Sequence, residues 1–189
     1  MSGPARYAVI GDPVSHSLSP TMHNGWIADH ELNATYEALL LRSDDPVAAI
    51  RALGSQLAGA NVTLPHKEAA ARAAGWTEGD AANTLRWEQD GALSAFNTDG
   101  AGFIAALDEA QPTWRRTTRR ALVVGAGGAA IGLGRALSPL VGAVQFINRT
   151  LVKARLAAGL IPNGEAAAWE SLDEGFASND LIVQATTLG

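Results

Sequence analysis

The sequence predicts an α/β fold in two units with a mostly parallel sheet. Short apolar runs alternate with helix-like segments through the first hundred residues. The dipeptide Asp90-Gly91 separates two short strand-like runs, which is a hairpin signal. A second unit begins with the apolar run 121–124, which glycines and a helix-like segment follow at once. We therefore place a first domain at residues 1–105 and a second domain at residues 106–189.

The elements of the first unit follow from local signals. Strand-like runs lie at residues 7–11, 35–41 and 59–64 and on both sides of the hairpin turn. Ser19 followed by Pro20 predicts an N-cap and the first residue of a helix that runs through Asp29. Ser43 is expected to cap a second helix with an acidic first turn, and a third helix follows Pro65.

The second unit follows a helix predicted from Thr98 to about Ala110. The Arg-rich segment 115–120 is interpreted as a solvated linker between the two domains. After the strand at 121–124, further strands are predicted in "AVQFINRT" and "NDLIVQAT". A complete doubly wound sheet usually has more strands than these, so we expect the second domain to continue beyond Gly189.

The composition argues against several classes of protein. The net charge is −5, whereas a general nucleic-acid binder would be basic. No run approaches the roughly 20 apolar residues of a membrane span, and the start lacks the pattern of a signal peptide. The absence of cysteine excludes disulfides and thiolate metal sites, and the four histidines show no paired ligand spacing. We expect a cytoplasmic protein without a metal.

The loop after the strand at 121–124 predicts a nucleotide site. Its pattern, G-x-G-x-x-A, comprises Gly125, Ala126, Gly127, Gly128, Ala129 and Ala130. Gly125 permits a tight turn, Gly127 lets a pyrophosphate approach the backbone, and Ala130 lets the helix pack on the strand. Backbone amides and the helix dipole then favour the phosphate charge. The alternative is a glycine-rich turn without a ligand.

The end of the next strand indicates NADP rather than NAD. An NAD site normally has an acidic residue there, which holds the ribose 2′-hydroxyl. Here the residues are Asn148, Arg149 and Thr150, with Lys153 one helical turn further on. Arg149 could bind a 2′-phosphate with two N–H groups, and Lys153 could act as a point charge. The alternative is two surface cations at a helix start.

A polar cluster is predicted where the strand at 59–64 ends. It contains Asn61, Thr63 and Lys67, and open α/β sheets place ligands at this edge. Asp99 lies at the start of a predicted helix. A lysine near a carboxylate can pass a proton to or from a carbinol oxygen. From the residue types alone, a surface lysine and a helix-capping aspartate are the simpler interpretation.

Four motifs occur in order along the chain: "GDPVSHSLSPTMHN", "GANVTLPHKE", "NTDG" and "GAGGA…NRT". Together they resemble the shikimate dehydrogenase family over nearly all of the sequence. The resemblance implies the reversible reduction of 3-dehydroshikimate to shikimate with NADPH, in the pathway to aromatic amino acids. It also implies a substrate domain and a Rossmann-like NADP-binding domain that face each other across a cleft.

The resemblance assigns the loop after the first strand to the substrate carboxylate. Ser17 and Ser19 match family serines that hydrogen-bond this group. Several neutral donors can hold a carboxylate when each hydroxyl is positioned. Capping of the following helix is an alternative role for Ser19 but does not account for Ser17. His16 is expected to order the loop.

The resemblance also assigns the reaction chemistry. Thr63, Asn83 and Asp99 match positions that bind the ring hydroxyls, and Asn61 lies beside them in sequence. Lys67 matches the catalytic lysine and would act with Asp99. It would supply a proton while the nicotinamide delivers hydride, and it would act as the base in the reverse direction.

Several features depart from the family pattern, and we also expect the family's chains to continue well past Gly189. Asp80 stands where the family usually has a small glycine before "A-x-N-T", and the segment before it is a few residues short. The family's "N-A-T" appears as Gln184, Ala185 and Thr186, of which Thr186 is kept as a cofactor residue. His66 stands where the family usually has an aromatic or apolar residue.

Other functions stay open from the sequence. A quinate/shikimate dehydrogenase that uses NAD would need an acidic residue near Asn148, and none is present. A folate-linked dehydrogenase would not account for the "HSLSP" loop. A non-catalytic module would bind shikimate or NADP without catalysing any reaction. The sequence also leaves open whether the protein is a homodimer.

Overall fold

The computed structural model describes residues 3–76, 81–88 and 90–186, and the chain forms two compact units, Met1–Asn97 and Thr98–Gly189. Within the described residues, the strands of the first unit are β1 (Ala5–Gly11), β2 (Ala34–Leu40), β3 (Gly59–Val62), β4 (Thr84–Trp87) and β5 (Leu93–Phe96). Its α-helices are α1 (Ser19–Asp29), α2 (Pro46–Ala52) and α3 (Lys67–Ala73). No helix in the described part of the chain is long and apolar enough to cross a membrane.

The sheet of the first unit is mixed. Its order is β2-β1-β3-β4-β5, in which the first three strands are parallel and the last two pair antiparallel. The predicted hairpin is present, and Gly91 has a φ of 85°, which a glycine adopts without strain. Parallel pairing brings the ends of β1, β2 and β3 to one edge, so the loops that follow these strands lie side by side.

Two helix starts differ from the sequence prediction. The N-cap of α1 is Leu18, and Ser19 is already helical. Capping needs a non-helical backbone, so the hydroxyl of Ser19 makes no cap; instead the Oγ of Ser17 accepts a hydrogen bond from the Ser19 N–H at 3.2 Å. Helix α2 is capped by Asp45 rather than Ser43, and the carboxylate accepts from the third following N–H at 3.0 Å.

The second unit is a parallel α/β sheet. Its strands within the described residues are β6 (Arg120–Val124), β7 (Ala143–Ile147), β8 (Gly164–Ala167) and β9 (Leu181–Gln184), in the order β8-β7-β6-β9. Its α-helices there are α4 (Asp99–Ala110), α5 (Trp114–Thr117), α6 (Gly128–Leu137), α7 (Leu151–Gly159) and α8 (Leu172–Ser178). Strand β8, with the sequence "GEAA", was not predicted because it is too short and too polar to show a strand pattern.

Helix α4 packs within the second unit. A Cβ added at Gly100 would lie 2.8 Å from the Cβ of Ala136 in α6, and Phe103, Ile104 and Leu107 pack against the core of this unit. The predicted boundary between residues 105 and 106 falls inside this helix. The chain divides after Asn97 instead, because the half-buried apolar side chains of α4 pack against the core of the second unit.

The Arg-rich segment 115–120 is not a linker. Arg115 donates two hydrogen bonds to the carboxylate of Asp108, at 2.8 and 2.7 Å. Thr118 is buried, and Arg120 begins β6 and pairs with Glu165 of β8. The prediction was wrong because a run of cations gives no sign of the carboxylates that neighbouring elements bring to it.

Candidate active site

Backbone hydrogen bonds join the loops that follow the parallel strands of the first unit. The N–H of Thr63 donates to the carbonyl of Ile10 at 2.8 Å, and the N–H of Asp12 donates to the carbonyl of Leu64 at 3.1 Å. Gly11 allows this close approach, since an added Cβ would lie 2.5 Å from the Cγ2 of Thr63. The loop after β1 and the loop after β3 therefore form one edge.

The serine loop lies on this edge. Ser17 and Ser19 are both half-buried, and the N–H of Ser17 donates to the carbonyl of Val14 at 3.0 Å. Because a hydroxyl both accepts and donates, Ser17 can accept from the Ser19 N–H and still offer its own O–H to a ligand. Val14 is buried beneath the loop, whereas His16 is exposed, so packing by Val14 rather than His16 accounts for the order of this loop.

Three further predicted residues come together beside it. Asn61 lies in β3, Lys67 begins α3, and Asn83 directly precedes β4. The carbonyl of Asn83 accepts from the N–H of Val62 at 2.8 Å, and the carbonyl of Lys67 accepts from the N–H of Ala82 at 2.9 Å. These bonds hold the start of α3 against the segment that carries Asn83. Asp80, which departs from the family pattern, lies outside the described residues.

Tyr36 connects to this cluster and was missed from the sequence. Its buried hydroxyl donates to the Oδ1 of Asn61 at 2.7 Å. The side-chain amide of Asn24 bonds both the N–H and the carbonyl of Tyr36, and the ring of His23 stacks on it at 4.1 Å. Burial raises the pKa of Tyr36 to about 12, while interaction with the Ser19 side chain opposes the rise. An aromatic residue in a short strand gives no sequence signal of this role.

His66, the N-cap of α3, is a buried residue at the same edge. Its Nε2 lies 2.9 Å from the carbonyl of Leu41, directly after β2, so the ring must carry its proton on Nε2 to donate this bond. Its own carbonyl accepts from the N–H of Ala70 at 2.9 Å. The side chain thus ties the end of β2 to the start of the helix that carries Lys67.

A cavity of about 720 Å³ lies beside the cluster within the first unit. Its lining includes Tyr7, Trp26, Ile27, Tyr36, Asn61 and Phe96. Of the predicted substrate residues in this unit, all of which the structure describes, Asn61 alone is part of that lining. The cavity is therefore a largely apolar neighbour of the polar edge rather than the predicted substrate site itself.

Asp99 belongs to the second unit. It is the first residue of α4, and Thr98 is the N-cap, so Asp99 is not the capping residue that the simpler interpretation proposed. Its assignment to the substrate and to Lys67 stays a prediction.

The glycine loop follows β6 and opens α6 as predicted. Gly125 has a φ of 126°, and a Cβ there would lie 2.9 Å from the carbonyl oxygen of Ala185. Gly127 is the N-cap of α6, and nothing lies within 4 Å of the position of its missing Cβ. Gly128 and Ala129 are exposed, and Ala130 is fully buried. The first backbone amides of α6 therefore face an open surface, which suits a phosphate.

The predicted 2′-phosphate residues follow the neighbouring strand β7. The Nδ2 of Asn148 donates to the carbonyl of Thr150 at 3.2 Å, and Thr150 is the N-cap of α7. Arg149 and Lys153 are exposed. Because β6 and β7 are parallel neighbours, the residues after β7 lie beside the glycine loop.

Thr186 lies on the other side of the loop, after β9. Its Cγ2 would be 3.3 Å from a Cβ at Gly125, and its N–H donates to the Oε1 of Gln184 at 2.8 Å. The predicted cofactor residues therefore gather at one edge of a single sheet. In the part of the chain that the structure describes, no group of three or more potential ligands could hold a metal ion.

Comparison with known proteins agrees with this arrangement. Residues 9–84 match the family model for the shikimate dehydrogenase substrate binding domain. The shikimate dehydrogenase (NADP(+)) of Mesorhizobium japonicum is 40% identical, over 96% of this chain and 67% of the relative. The chain belongs to the shikimate dehydrogenase family.

Solved structures of shikimate dehydrogenases are also similar. The Thermus thermophilus enzyme in complex with shikimate has a TM-score of 0.84 and 34% identity, over 98% of this chain and 70% of the other. Its complex with NADP(H) and shikimate has a TM-score of 0.81 and 33% identity, over 96% and 68%. The chain thus spans about two thirds of the length of the shikimate dehydrogenases that it matches.

Proposed function

We propose that this protein catalyses the NADPH-dependent, reversible reduction of 3-dehydroshikimate to shikimate. One observation carries the proposal: Lys67 begins α3 at the same edge as Asn61, Thr63 and Asn83, and backbone hydrogen bonds hold that edge together. A lysine at the start of a short helix is anchored by its backbone, while its long side chain can reach a ligand on this edge.

Each side chain of the edge has a distinct role in the proposal. Ser17 and Ser19 donate to the substrate carboxylate, and Asn83 binds a ring hydroxyl, as Thr63 and Asp99 do. Lys67 protonates the carbonyl oxygen as it becomes an alkoxide, and it takes the proton back in the reverse reaction. NADPH supplies the hydride.

The second unit supports NADP over NAD. The exposed Arg149 and Lys153 lie next to the glycine loop, and residues 148–153 contain no carboxylate that would repel a 2′-phosphate or hold a 2′-hydroxyl. A quinate dehydrogenase that uses NAD is therefore the weaker candidate. Asn148, Thr150 and Thr186 would complete the cofactor edge.

The test is NADPH formation from shikimate and NADP⁺, followed by absorbance, with wild-type protein and a Lys67→Ala variant. Loss of the general acid–base group should lower turnover about 10²- to 10⁴-fold. Lys153→Ala is the matched control, because it removes a lysine from the cofactor edge and should raise the KM for NADP⁺ with little change in kcat. Unchanged turnover in Lys67→Ala would refute the catalytic assignment.

The same assay addresses the binding-module alternative. Shikimate binding by calorimetry without any turnover of wild-type protein would favour that alternative. NAD⁺ and quinate assayed in parallel would reveal a different cofactor or substrate preference. Cytoplasmic location and homodimer assembly stay proposals, which fractionation of cells and light scattering would test.

A further inference from the structure

A directional chain of hydrogen bonds runs across the strands of the first unit. The hydroxyl of Tyr36 donates to the Oδ1 of Asn61 at 2.7 Å. The Nδ2 of Asn61 donates to the Oγ1 of Thr84 at 3.4 Å, and that hydroxyl donates to the Oδ1 of Asn83 at 3.0 Å. Tyr36 and Thr84 are not among the predicted ligand residues, yet they bond to the two asparagines that are.

The first link of the chain sets its direction. The hydroxyl of Tyr36 lies 2.7 Å from the Oδ1 of Asn61, a distance typical of an O–H donor and an amide oxygen. Burial raises the pKa of Tyr36 to about 12, so the phenol keeps the proton that it donates. The amide oxygen of Asn61 therefore faces Tyr36.

The later links follow from the first. With its oxygen toward Tyr36, Asn61 turns its NH₂ group toward Thr84, its direct partner in the antiparallel pairing of β3 and β4. The hydroxyl of Thr84 then accepts from Asn61 and has its proton left for the Oδ1 of Asn83. Both asparagines thus have their amide oxygens engaged by protein hydroxyls.

We propose that Tyr36 and Thr84 are positioning residues that fix the side-chain amides of Asn61 and Asn83, so that both present N–H donors rather than carbonyl oxygens to the ligand. An asparagine amide can rotate by 180° and exchange donor for acceptor at almost no cost in shape. The chain of hydrogen bonds prevents this rotation. The site then favours ligand oxygens that accept hydrogen bonds, and it rejects analogues in which an ammonium or amine donor replaces a ring oxygen.

Side-chain orientation can be measured without turnover. In nuclear Overhauser spectra of the wild-type protein, the NH₂ protons of Asn61 should be close to the Thr84 side chain and not to the Tyr36 ring. The reverse pattern would overturn the proposal. In Thr84→Val, which keeps the branched shape and removes the hydroxyl, the NH₂ signals of Asn83 should shift. In Thr84→Ser, which keeps the hydroxyl, they should stay near their wild-type positions.

Kinetics test the consequence for the ligand, which rests on the proposed function. Thr84→Val and Tyr36→Phe should each raise the KM for shikimate about tenfold, with kcat and the KM for NADP⁺ within twofold. Thr84→Ser should keep the KM for shikimate within twofold of wild type. The double variant should raise it by less than the product of the two single effects, because either substitution breaks the same chain.

The outcomes separate this inference from the proposed function. Effects on KM that multiply in the double variant, or equal effects of Thr84→Val and Thr84→Ser, would overturn the inference and leave the dehydrogenase assignment intact. A wild-type protein that does not act on shikimate would refute the proposed function, while the orientation measurement would still decide the direction of the chain.

Discussion

The two candidate ligand edges of this protein are built on different principles. The edge of the first unit uses half-buried side chains, Ser17, Asn61 and Asn83 among them, which other side chains and backbone groups hold in place. The edge of the second unit uses backbone amides at a glycine loop and the exposed cations Arg149 and Lys153. The first suits a small ligand whose hydroxyls must be distinguished, and the second suits phosphate charge.

This difference determines which substitutions disrupt ligand binding at each edge. A network of side chains loses specificity when one donor is removed, because its partners are left unpaired in a low-dielectric surrounding. A loop of backbone amides is insensitive to most side-chain changes but sensitive to any atom that moves the backbone. Exposed cations bind through charge, so their contribution should decrease as salt increases.

The largest effect is expected at Gly125. The Gly125→Ala variant would strain a backbone with φ of 126° and place a Cβ 2.9 Å from a carbonyl oxygen, so we expect a loss of about 2–4 kcal/mol in the free energy of unfolding. The Gly125→Ala variant should also lose NADP⁺ binding. Urea unfolding and calorimetry provide the measurements.

Gly127→Ala is the matched control for that change. Its φ of −89° suits alanine, and no atom lies within 4 Å of the added Cβ, so stability should change by less than about 0.5 kcal/mol. The affinity for NADP⁺ should still decrease about tenfold, since the methyl group would stand where the pyrophosphate approaches. Equal stability losses in both variants would contradict the backbone argument.

A smaller effect is expected from Arg149→Ala. Removal of a charge-assisted partner should weaken NADP⁺ binding about 10- to 100-fold and leave NAD⁺ binding unchanged, because NAD⁺ has no 2′-phosphate. The effect of Arg149→Ala on NADP⁺ binding should be smaller at high salt. Arg155→Ala removes an exposed arginine further along α7 and serves as the control. An equal loss for both nucleotides would exclude the proposed 2′-phosphate contact.

His66 tests the side-chain principle in the first unit. His66→Phe keeps the ring but leaves the carbonyl of Leu41 without its donor, so stability should decrease by about 1–2 kcal/mol. His66→Gln can place an amide N–H near the position of Nε2 and should recover most of this loss. Chemical denaturation compares the variants, and a glutamine variant as unstable as the phenylalanine variant would argue against the hydrogen bond.

The smallest effect concerns pH in the second unit. Hydrogen bonds from Arg115 and Trp114 lower the pKa of Asp108 from 3.8 to about 2. A lowered folded-state pKa adds stability above the ordinary value, and this contribution is lost as the pH decreases from about 4 to about 2. The wild-type protein should therefore have a higher melting temperature than Asp108→Asn at pH 6, and this difference in melting temperature should disappear by pH 2. A gap that is constant from pH 6 to pH 2 would refute this linkage.

Much of the fold could be predicted because its signals are local. The apolar runs of β1, β6 and β7, the Asp90-Gly91 turn and the glycine loop each depend on a few consecutive residues, and the structure confirms them. Strand β8 and the caps of α1 and α2 were missed or misplaced. Their formation depends on pairing partners and backbone angles that the local sequence does not specify.

The candidate site divides in the same way. The residues of the serine loop, Lys67 and the glycine loop are recognisable because they occur in ordered motifs. Tyr36 lies outside every motif, and the motifs that contain His66 and Thr84 do not indicate the hydrogen-bond partners of these side chains. Their hydrogen bonds join residues 25 positions apart, as for Tyr36 with Asn61 and His66 with Leu41, or cross between antiparallel strands, as for Asn61 with Thr84.

By itself, the sequence determined the family, the α/β class and the identity of the candidate ligand residues, because these depend on residue types at fixed spacing. The tertiary structure alone decided which way the amides face, which acceptor each hydroxyl and imidazole meets, and where the first unit ends. Hydrogen bonds are directional and act over about 3 Å, so their partners are known only when the strands are side by side.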